Sequence, residues 1–281
     1  MEIGRITMQG KIIARFPIPM KMKGMGGMTS GPDGALWFIE DLENKIGRIT
    51  TQGQITEFPF GSSQASFLNL EKITAGPDGA LWFTGRDTSG PGCKIGRITT
   101  QGKVTFFKVR PCLRLEDLVT GPDGALWFPI DTKRSEQDPT PMEIGRITMQ
   151  GKITTFAVPT TSDAIEGIAA GPDGALWFTE DFANSIGRIT TQGKISEFTL
   201  PTPESRPFAI AAGPDGTLWF SEIFARDGNP KIGRISTEGK ISEFAIPSPD
   251  APMFGTRIVV GPDRALWFTV LGHVMRITPP R

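Results

Sequence analysis

Gly171-Pro172-Asp173-Gly174-Ala175-Leu176-Trp177-Phe178 decides the fold, because the same eight-residue stretch returns along the chain. It begins again at Gly31, Gly76, Gly121 and Gly213, with Thr217 for the alanine in the last of these, and at Gly261 with Arg264 for the second glycine. Six near-copies spanning 281 residues define a repeat protein. All 6 tryptophans lie inside the motif, so tryptophan has one repeated and structural task.

A second motif follows each copy. Ile186-Gly187-Arg188-Ile189-Thr190 has counterparts beginning at Ile3, Ile46, Ile95, Ile144 and Ile232, and a degenerate one at Val274. Each unit therefore holds four extended runs, here termed A to D. In the fourth copy these are 167–170, 175–180, 185–190 and 194–198, each rich in β-branched or aromatic residues and bounded by turn residues. Gly-Pro-Asp-Gly suits a tight A-to-B turn, with proline preset at the second position. Gln-Gly, or Glu238-Gly239 in one copy, suits a C-to-D hairpin whose glycine takes a positive φ. The B-to-C and D-to-A connections vary in length and composition, so one face of the molecule is expected to be uniform and the other individual.

Four antiparallel strands every 42 to 50 residues, with no helical periodicity, predict an all-β fold. The expected architecture is a single six-bladed β-propeller domain over residues 1–281. The last copy ends without a D run, so residues 11–17, a D-type run at the N-terminus, are expected to complete the last blade and close the ring. Residues 3–7 would then be surplus. Trp and Phe are expected to fill the space between blades. The repeated arginines (Arg48, Arg97, Arg146, Arg188, Arg234, Arg276) are expected to pair with aspartates such as those of the A-to-B turn.

Lys plus Arg and Asp plus Glu number 30 each, which removes the field that draws a protein to nucleic acid or to an anionic membrane. No run approaches the length of a membrane span. A soluble, cytoplasmic monomer is expected, with Cys93 and Cys112 as free thiols.

Trp177-Phe178-Thr179-Glu180 followed by Asn184 and Ile186 to Ile195 resembles the blade of the virginiamycin B (streptogramin B) lyase family. The resemblance runs over essentially the whole chain. It implies a propeller, seven-bladed in that family, that opens a cyclic depsipeptide antibiotic at its ester by elimination, with Mg²⁺ near the axis. Such an elimination needs a base at the α-proton and an electrophile on the carbonyl oxygen. The positions matching the family's histidines, just before strand A in the last two blades, hold Phe208 and Thr256. The tyrosine position holds Gly26, and the glutamate position falls on Val270 or Leu271. The chain has no tyrosine, and its 1 histidine, His273, stands at the start of the last C run.

The position just before strand A reads Gly26, Glu71, Glu116, Glu166, Phe208 and Thr256, and the next reads Gly27, Lys72, Asp117, Gly167, Ala209 and Arg257. The second residue after Trp-Phe adds Glu40, Glu180 and Glu222. Carboxylates converging there suit Mg²⁺, Ca²⁺ or a cationic ligand, with Glu71, Glu116 and Glu166 as metal candidates. Partial neutralisation by Lys72 and Arg257 leaves solvated acids as the other reading. The expected function is a lyase-like propeller without the family's catalytic set, a scaffold that binds a small ligand or protein partner on its variable face. The alternative is a carbon–oxygen lyase or hydrolase working through relocated carboxylates and a divalent metal.

Overall fold

A computed structural model describes the chain except residues 1, 8–10, 20–23, 41–42, 61–67, 88–91, 133–139, 161–163, 224–230, 247–256, 271–272 and 280–281. Side chains at 6, 25, 68, 69, 87, 270 and 273 are also left aside. No α-helix occurs among the described residues. The chain divides into two compact units, Met1–Leu118 and Val119–Arg281, each treated by itself.

The first unit opens on a hairpin of β1 (Glu2–Ile6) and β2 (Ile12–Pro17). Two four-stranded blades follow. The first holds β3 (Met25–Ser30), β4 (Leu36–Glu40), β5 (Lys45–Ile49) and β6 (Ile55–Pro59). The second holds β7 (Leu68–Ala75), β8 (Leu81–Asp87), β9 (Cys93–Ile98) and β10 (Val104–Val109). The second unit contains a third blade, with β11 (Val119–Thr120), β12 (Leu126–Ile130), β13 (Glu143–Ile147) and β14 (Ile153–Ala157). The fourth has β15 (Ile168–Ala170), β16 (Ala175–Glu180), β17 (Ser185–Thr190) and β18 (Ile195–Thr199). The fifth has β19 (Pro207–Ala212), β20 (Leu218–Glu222), β21 (Lys231–Ile235) and β22 (Ile241–Ala245). The last holds β23 (Ile258–Val260), β24 (Leu266–Val270) and β25 (His273–Ile277). These are the six blades of a β-propeller, every ladder antiparallel and in chain order.

Turn chemistry works as the residues dictate. In Gly171–Gly174 the Gly174 N–H donates to Gly171 O at 3.3 Å, and Gly174 takes φ +74°. Thr190 O accepts from Gly193 N at 2.8 Å in the C-to-D hairpin, with Gly193 at φ +90°. Both place a glycine where an L side chain would be strained.

The aspartate of the A-to-B turn then ties three strands. Asp173 Oδ1 accepts from Trp177 Nε1 at 3.1 Å, and Oδ2 accepts from Arg188 Nε at 2.7 Å. Equivalent ion pairs join Asp33 to Arg48, Asp78 to Arg97, Asp123 to Arg146, Asp215 to Arg234 and Asp263 to Arg276, at 2.6 to 3.0 Å. Burial works against ionisation of Asp173, but hydrogen bonds from Trp177 and Arg188 outweigh it and hold the carboxyl below its usual range. The recurring arginine is thus a scaffold element.

Trp37, Trp127, Trp177 and Trp219 pack across to the next blade. Trp177 is buried with Leu218 and Phe220, and Trp127 with Leu176 and Phe178. A strand-D phenylalanine stacks on the Trp of the same blade, as Phe198 does on Trp177 with centroids 5.5 Å apart.

Residues 11–17, expected to complete the last blade, fall in β2 (Ile12–Pro17) of the first unit. β2 pairs with β1, in register from Glu2 opposite Pro17 to Ile6 opposite Ile12, and the last sheet has three strands among the described residues. Locality favours this pairing, since Thr7 N–H donates to Lys11 O at 2.9 Å and so closes a very short loop. β1 is therefore not surplus. Ile3, Phe16 and Ile18 pack on Phe38 and Ile49 of the first blade, and Phe16 sits against Gly53 as Phe58 sits against Gly102. The hairpin acts as the C–D half of a blade.

Candidate functional site

The residues read from the sequence as a ligand-facing set lie where strand A begins, and here the ladder breaks. Register shifts fall between Met25 and Met28, Leu70 and Ile73, and Pro207 and Ile210, so Gly26-Gly27, Glu71-Lys72 and Phe208-Ala209 are bulged pairs. A bulge removes ladder partners and re-aims side chains. A buried hydroxyl takes an N–H at the second and fifth blades' bulges and at the matching point of the fourth blade. Lys72 N–H donates to Thr84 Oγ1 at 3.2 Å, Gly167 N–H to Thr179 Oγ1 at 3.0 Å, and Ala209 N–H to Ser221 Oγ at 3.1 Å. The Thr or Ser directly after Trp-Phe was the sequence signal for these pinned positions. The start of strand A in the fourth blade also abuts the bulge of the fifth, since a methyl built at Gly167 would lie 2.8 Å from Phe208 O.

In the first unit Glu71 and Glu116 come together around a residue the motif comparison passed over. Arg114 Nε lies 2.8 Å from Glu116 Oε1 and 3.5 Å from Glu71 Oε1. Glu116 is buried, Glu71 and Asp117 are half-buried and Arg114 is exposed. Lys72 is half-buried beside Glu71. Asp117 Oδ1 accepts from the Leu118 N–H at 2.9 Å, a local turn bond.

The segment bearing Arg114, Glu116 and Asp117 is pinned by a disulfide between Cys93 and Cys112, which corrects the expectation of free thiols. Register supplies the reason. Cys93 stands opposite Val109 at the end of β10, and the chain turning at Arg110-Pro111 returns Cys112 to a Cα separation of 5.6 Å. With the thiols paired, they no longer support a reducing compartment.

A guanidinium between Glu71 and Glu116 does not fit the predicted divalent ion. It occupies the place a cation would take, and no group of three or more acidic, His or Cys side chains suited to a metal occurs among the described residues. Glu166 is half-buried beside Gly167 in the second unit, where Phe208 is half-buried and Arg257 exposed. Thr256, Leu271 and the side chains of Val270 and His273 lie outside the described residues.

Glu40, Glu180 and Glu222 depart from expectation. They are 0%, 2% and 0% exposed, inside the blades rather than facing a ligand. Strand alternation explains it, because each glutamate is two residues beyond a buried phenylalanine and so shares its face. Phe178 and Glu180 both lie over Gly187, where an added methyl would sit 2.2 Å from the ring and 2.7 Å from Glu180 Oε1. Burial pushes Glu40 up to about 7, with the charge of Glu57 adding to the rise and Lys45 opposing it. Burial also raises Glu180 to about 7, against a hydrogen bond from Thr160.

Residues 1–112 and 64–279 match the Virginiamycin B lyase family. The chain belongs to that family. A solved streptogramin B lyase is 33% identical over 97% of this chain and 85% of its own, with a TM-score of 0.80. The virginiamycin B lyase of Staphylococcus aureus is 37% identical over 96% of this chain and 84% of that one, with a TM-score of 0.78. A catalytically inactive variant of the S. aureus enzyme, solved with quinupristin, gives 37% identity and a TM-score of 0.78. The curated Virginiamycin B lyase of Bordetella pertussis is 38% identical, but over 47 residues, 17% of this chain and 16% of the relative. Only about a sixth of that relative's length is matched.

Proposed function

We propose that this chain is a ligand-binding propeller of the virginiamycin B lyase family, in which a charged recognition site replaces elimination chemistry. The observation that carries the reading is Arg114 held between Glu71 and Glu116 at the start of strand A. Positions that resemble the family's histidines and tyrosine hold Phe208, Thr256 and Gly26, none of which takes a proton from carbon at neutral pH. The first unit instead holds a guanidinium with carboxylates on either side, and Lys72 and Asp117 next to them in the chain. Such a set recognises a ligand bearing both charges, through directed hydrogen bonds rather than bond breaking. The occupant is a small molecule or a protein partner reached from the variable connections.

Retained lyase activity is the second reading. It is favoured by 37% identity to the S. aureus enzyme along 96% of the chain. Incubation with a streptogramin B antibiotic and Mg²⁺, followed by mass spectrometry, separates the two. The binding reading predicts intact antibiotic. Linearised product at enzymatic rates, lost in a Glu116→Gln variant, overturns it.

A further inference from the structure

Three of the complete blades carry a glutamate at the end of strand B and another on strand D, facing the glycine of strand C. The sets are Glu40, Gly47 and Glu57, then Glu180, Gly187 and Glu197, then Glu222, Gly233 and Glu243. The other two complete blades have neither acid, holding Gly85 with Phe106 and Ile130 with Thr155. The acids come and go in pairs, which marks them as one device.

A lysine normally accompanies the pair. Lys45, opposite Glu40 in the ladder, donates to Glu57 Oε2 at 3.0 Å. Lys231, opposite Glu222, lies 3.7 Å from Glu243 Oε2 and donates to Thr202 Oγ1 at 2.7 Å. In the fourth blade that position is Ser185, opposite Glu180. The pair there has lost its fixed positive charge.

Thr160 reveals what takes its place. Its Oγ1 lies 2.6 Å from Glu180 Oε2 and 2.8 Å from Glu197 Oε1. A hydroxyl has one proton to donate, and an ionised carboxylate can only accept. Both short contacts are hydrogen bonds only if one carboxyl brings a proton of its own. Glu180 is the one, being buried with Oε1 lacking a hydrogen-bond partner, whereas Glu197 is exposed to water.

We propose that Glu180, Thr160 and Glu197 form a proton-holding latch, Glu180 O–H to Thr160 O–H to the Glu197 carboxylate, in which a bound proton replaces the lysine of the sister blades. The latch fastens the D-to-A connection that carries Ala164 and Glu166 onto the fourth blade. Deprotonation leaves two carboxylates sharing one hydroxyl proton, and the connection is released.

The groups facing Glu180 are few. Ser185 Oγ on β17 donates to Oε2 at 3.1 Å, Glu197 faces it from β18, and Thr160 comes from the connection. The adjacent Asp181 is engaged by Arg206 through two bonds of 2.7 and 2.6 Å. Burial, partly opposed by the Thr160 bond and reinforced by the charge of Glu197, puts the Glu180 titration near neutrality, at about 7. Glu40 titrates in the same range, so a local readout is required.

That readout is the Asp181 amide, which donates to Ala164 O at 3.0 Å across the latched connection. Its hydrogen-exchange protection factor is to be measured from pH 5.5 to 8.5 in the wild type, Glu180→Gln and Ser185→Lys. The wild-type factor is expected to fall by up to about tenfold per pH unit from pH 5.5 to about 7, where opening releases the Glu180 proton, and to level off above it. Gln mimics the protonated acid and Lys restores the fixed charge, so both variants are expected to stay flat. A flat wild-type profile overturns the latch, as does a variant that falls in parallel with the wild type. Ser185→Lys keeps the test decisive if Glu180→Gln does not fold.

Discussion

Gly187→Ala tests the packing rule on which every complete blade rests. Gly187 lies opposite Phe178 in the β16–β17 ladder, and the buried Phe178 ring folds over it. A methyl at this position would lie 2.2 Å from two ring carbons, against an ordinary contact of about 3.5–4.0 Å. Something must move by more than 1 Å, roughly, in a core where Phe178 is already packed with Trp127, Leu176 and Ile189. Overpacking of this severity costs about 3 kcal/mol, the upper part of its usual range. Replacing a strand glycine returns about 0.5–1 kcal/mol by restricting the unfolded chain. The expected net loss is about 2 kcal/mol, read as a lowered urea midpoint at unchanged slope. Phe178→Ala alone is expected to cost about 3–5 kcal/mol. In that background Gly187→Ala becomes neutral or mildly stabilising, giving a coupling of about 2 kcal/mol. A single variant within 0.5 kcal/mol, roughly, of the wild type, or simple additivity, would refute the reasoning.

Further outcomes follow from the charges and the disulfide. Glu40 and Glu180 are raised from 4.5 to about 7, so the folded state keeps protons that the unfolded chain has shed. Their contribution is complete below about pH 4.5 and is lost as pH rises through 7; Asp33, Asp78, Asp123, Asp173 and Asp215 are depressed, and theirs is lost as pH falls below 3.8. The melting temperature is therefore expected to peak between these limits, and a monotonic rise to pH 8 contradicts the assignment. Replacing Cys93 and Cys112 by serine reopens a loop spanning a separation of 19 residues, and is expected to cost about 3 kcal/mol in denaturant melts. Arg114→Ala leaves Glu71 and Glu116 without their shared guanidinium. Mg²⁺ or Ca²⁺ is then expected to raise the melting temperature of this variant above an ionic-strength control, while the wild type responds to both salts alike; equal responses in the two proteins would remove Arg114 from its role.

What the sequence disclosed, it disclosed through repetition. Asp173 and Trp177 keep one spacing in every blade and Arg188 one place in every strand C, so their bonding could be read from any copy. Arg114 lies in a connection that no other blade repeats, and only the geometry shows it between two acids. Cys93 and Cys112 are 19 residues apart with no motif, and the ladder register alone brings them together. Glu40, Glu180 and Glu222 were placed by counting from Trp-Phe, yet strand alternation sends them to the face of the phenylalanine and into the blade. β1 and β2 are separated by five residues, and the short loop pairs them.

Position and rigidity at the site are set by a residue that no ligand needs to touch. Thr84, Thr179 and Ser221 follow Trp-Phe directly, are fully buried, and each accept an N–H from the start of strand A. Ile39 and Pro129 occupy that place in the first and third blades and have no hydroxyl to offer. In the first blade the bulge is Gly26-Gly27, and a methyl at Gly27 would come within 3.3 Å of Glu71 O. The first blade thus brings no side chain to this point and lets the Glu71 backbone approach. In the second blade Thr84 bonds the backbone N–H of Lys72 while Arg114 pairs with the carboxylate of Glu71. A hydroxyl costs a buried position little once it is bonded, and leaving the bulged N–H unbonded costs about 1–3 kcal/mol. A single interior side chain therefore decides, blade by blade, whether the N–H at the start of strand A is bonded to a hydroxyl inside the blade.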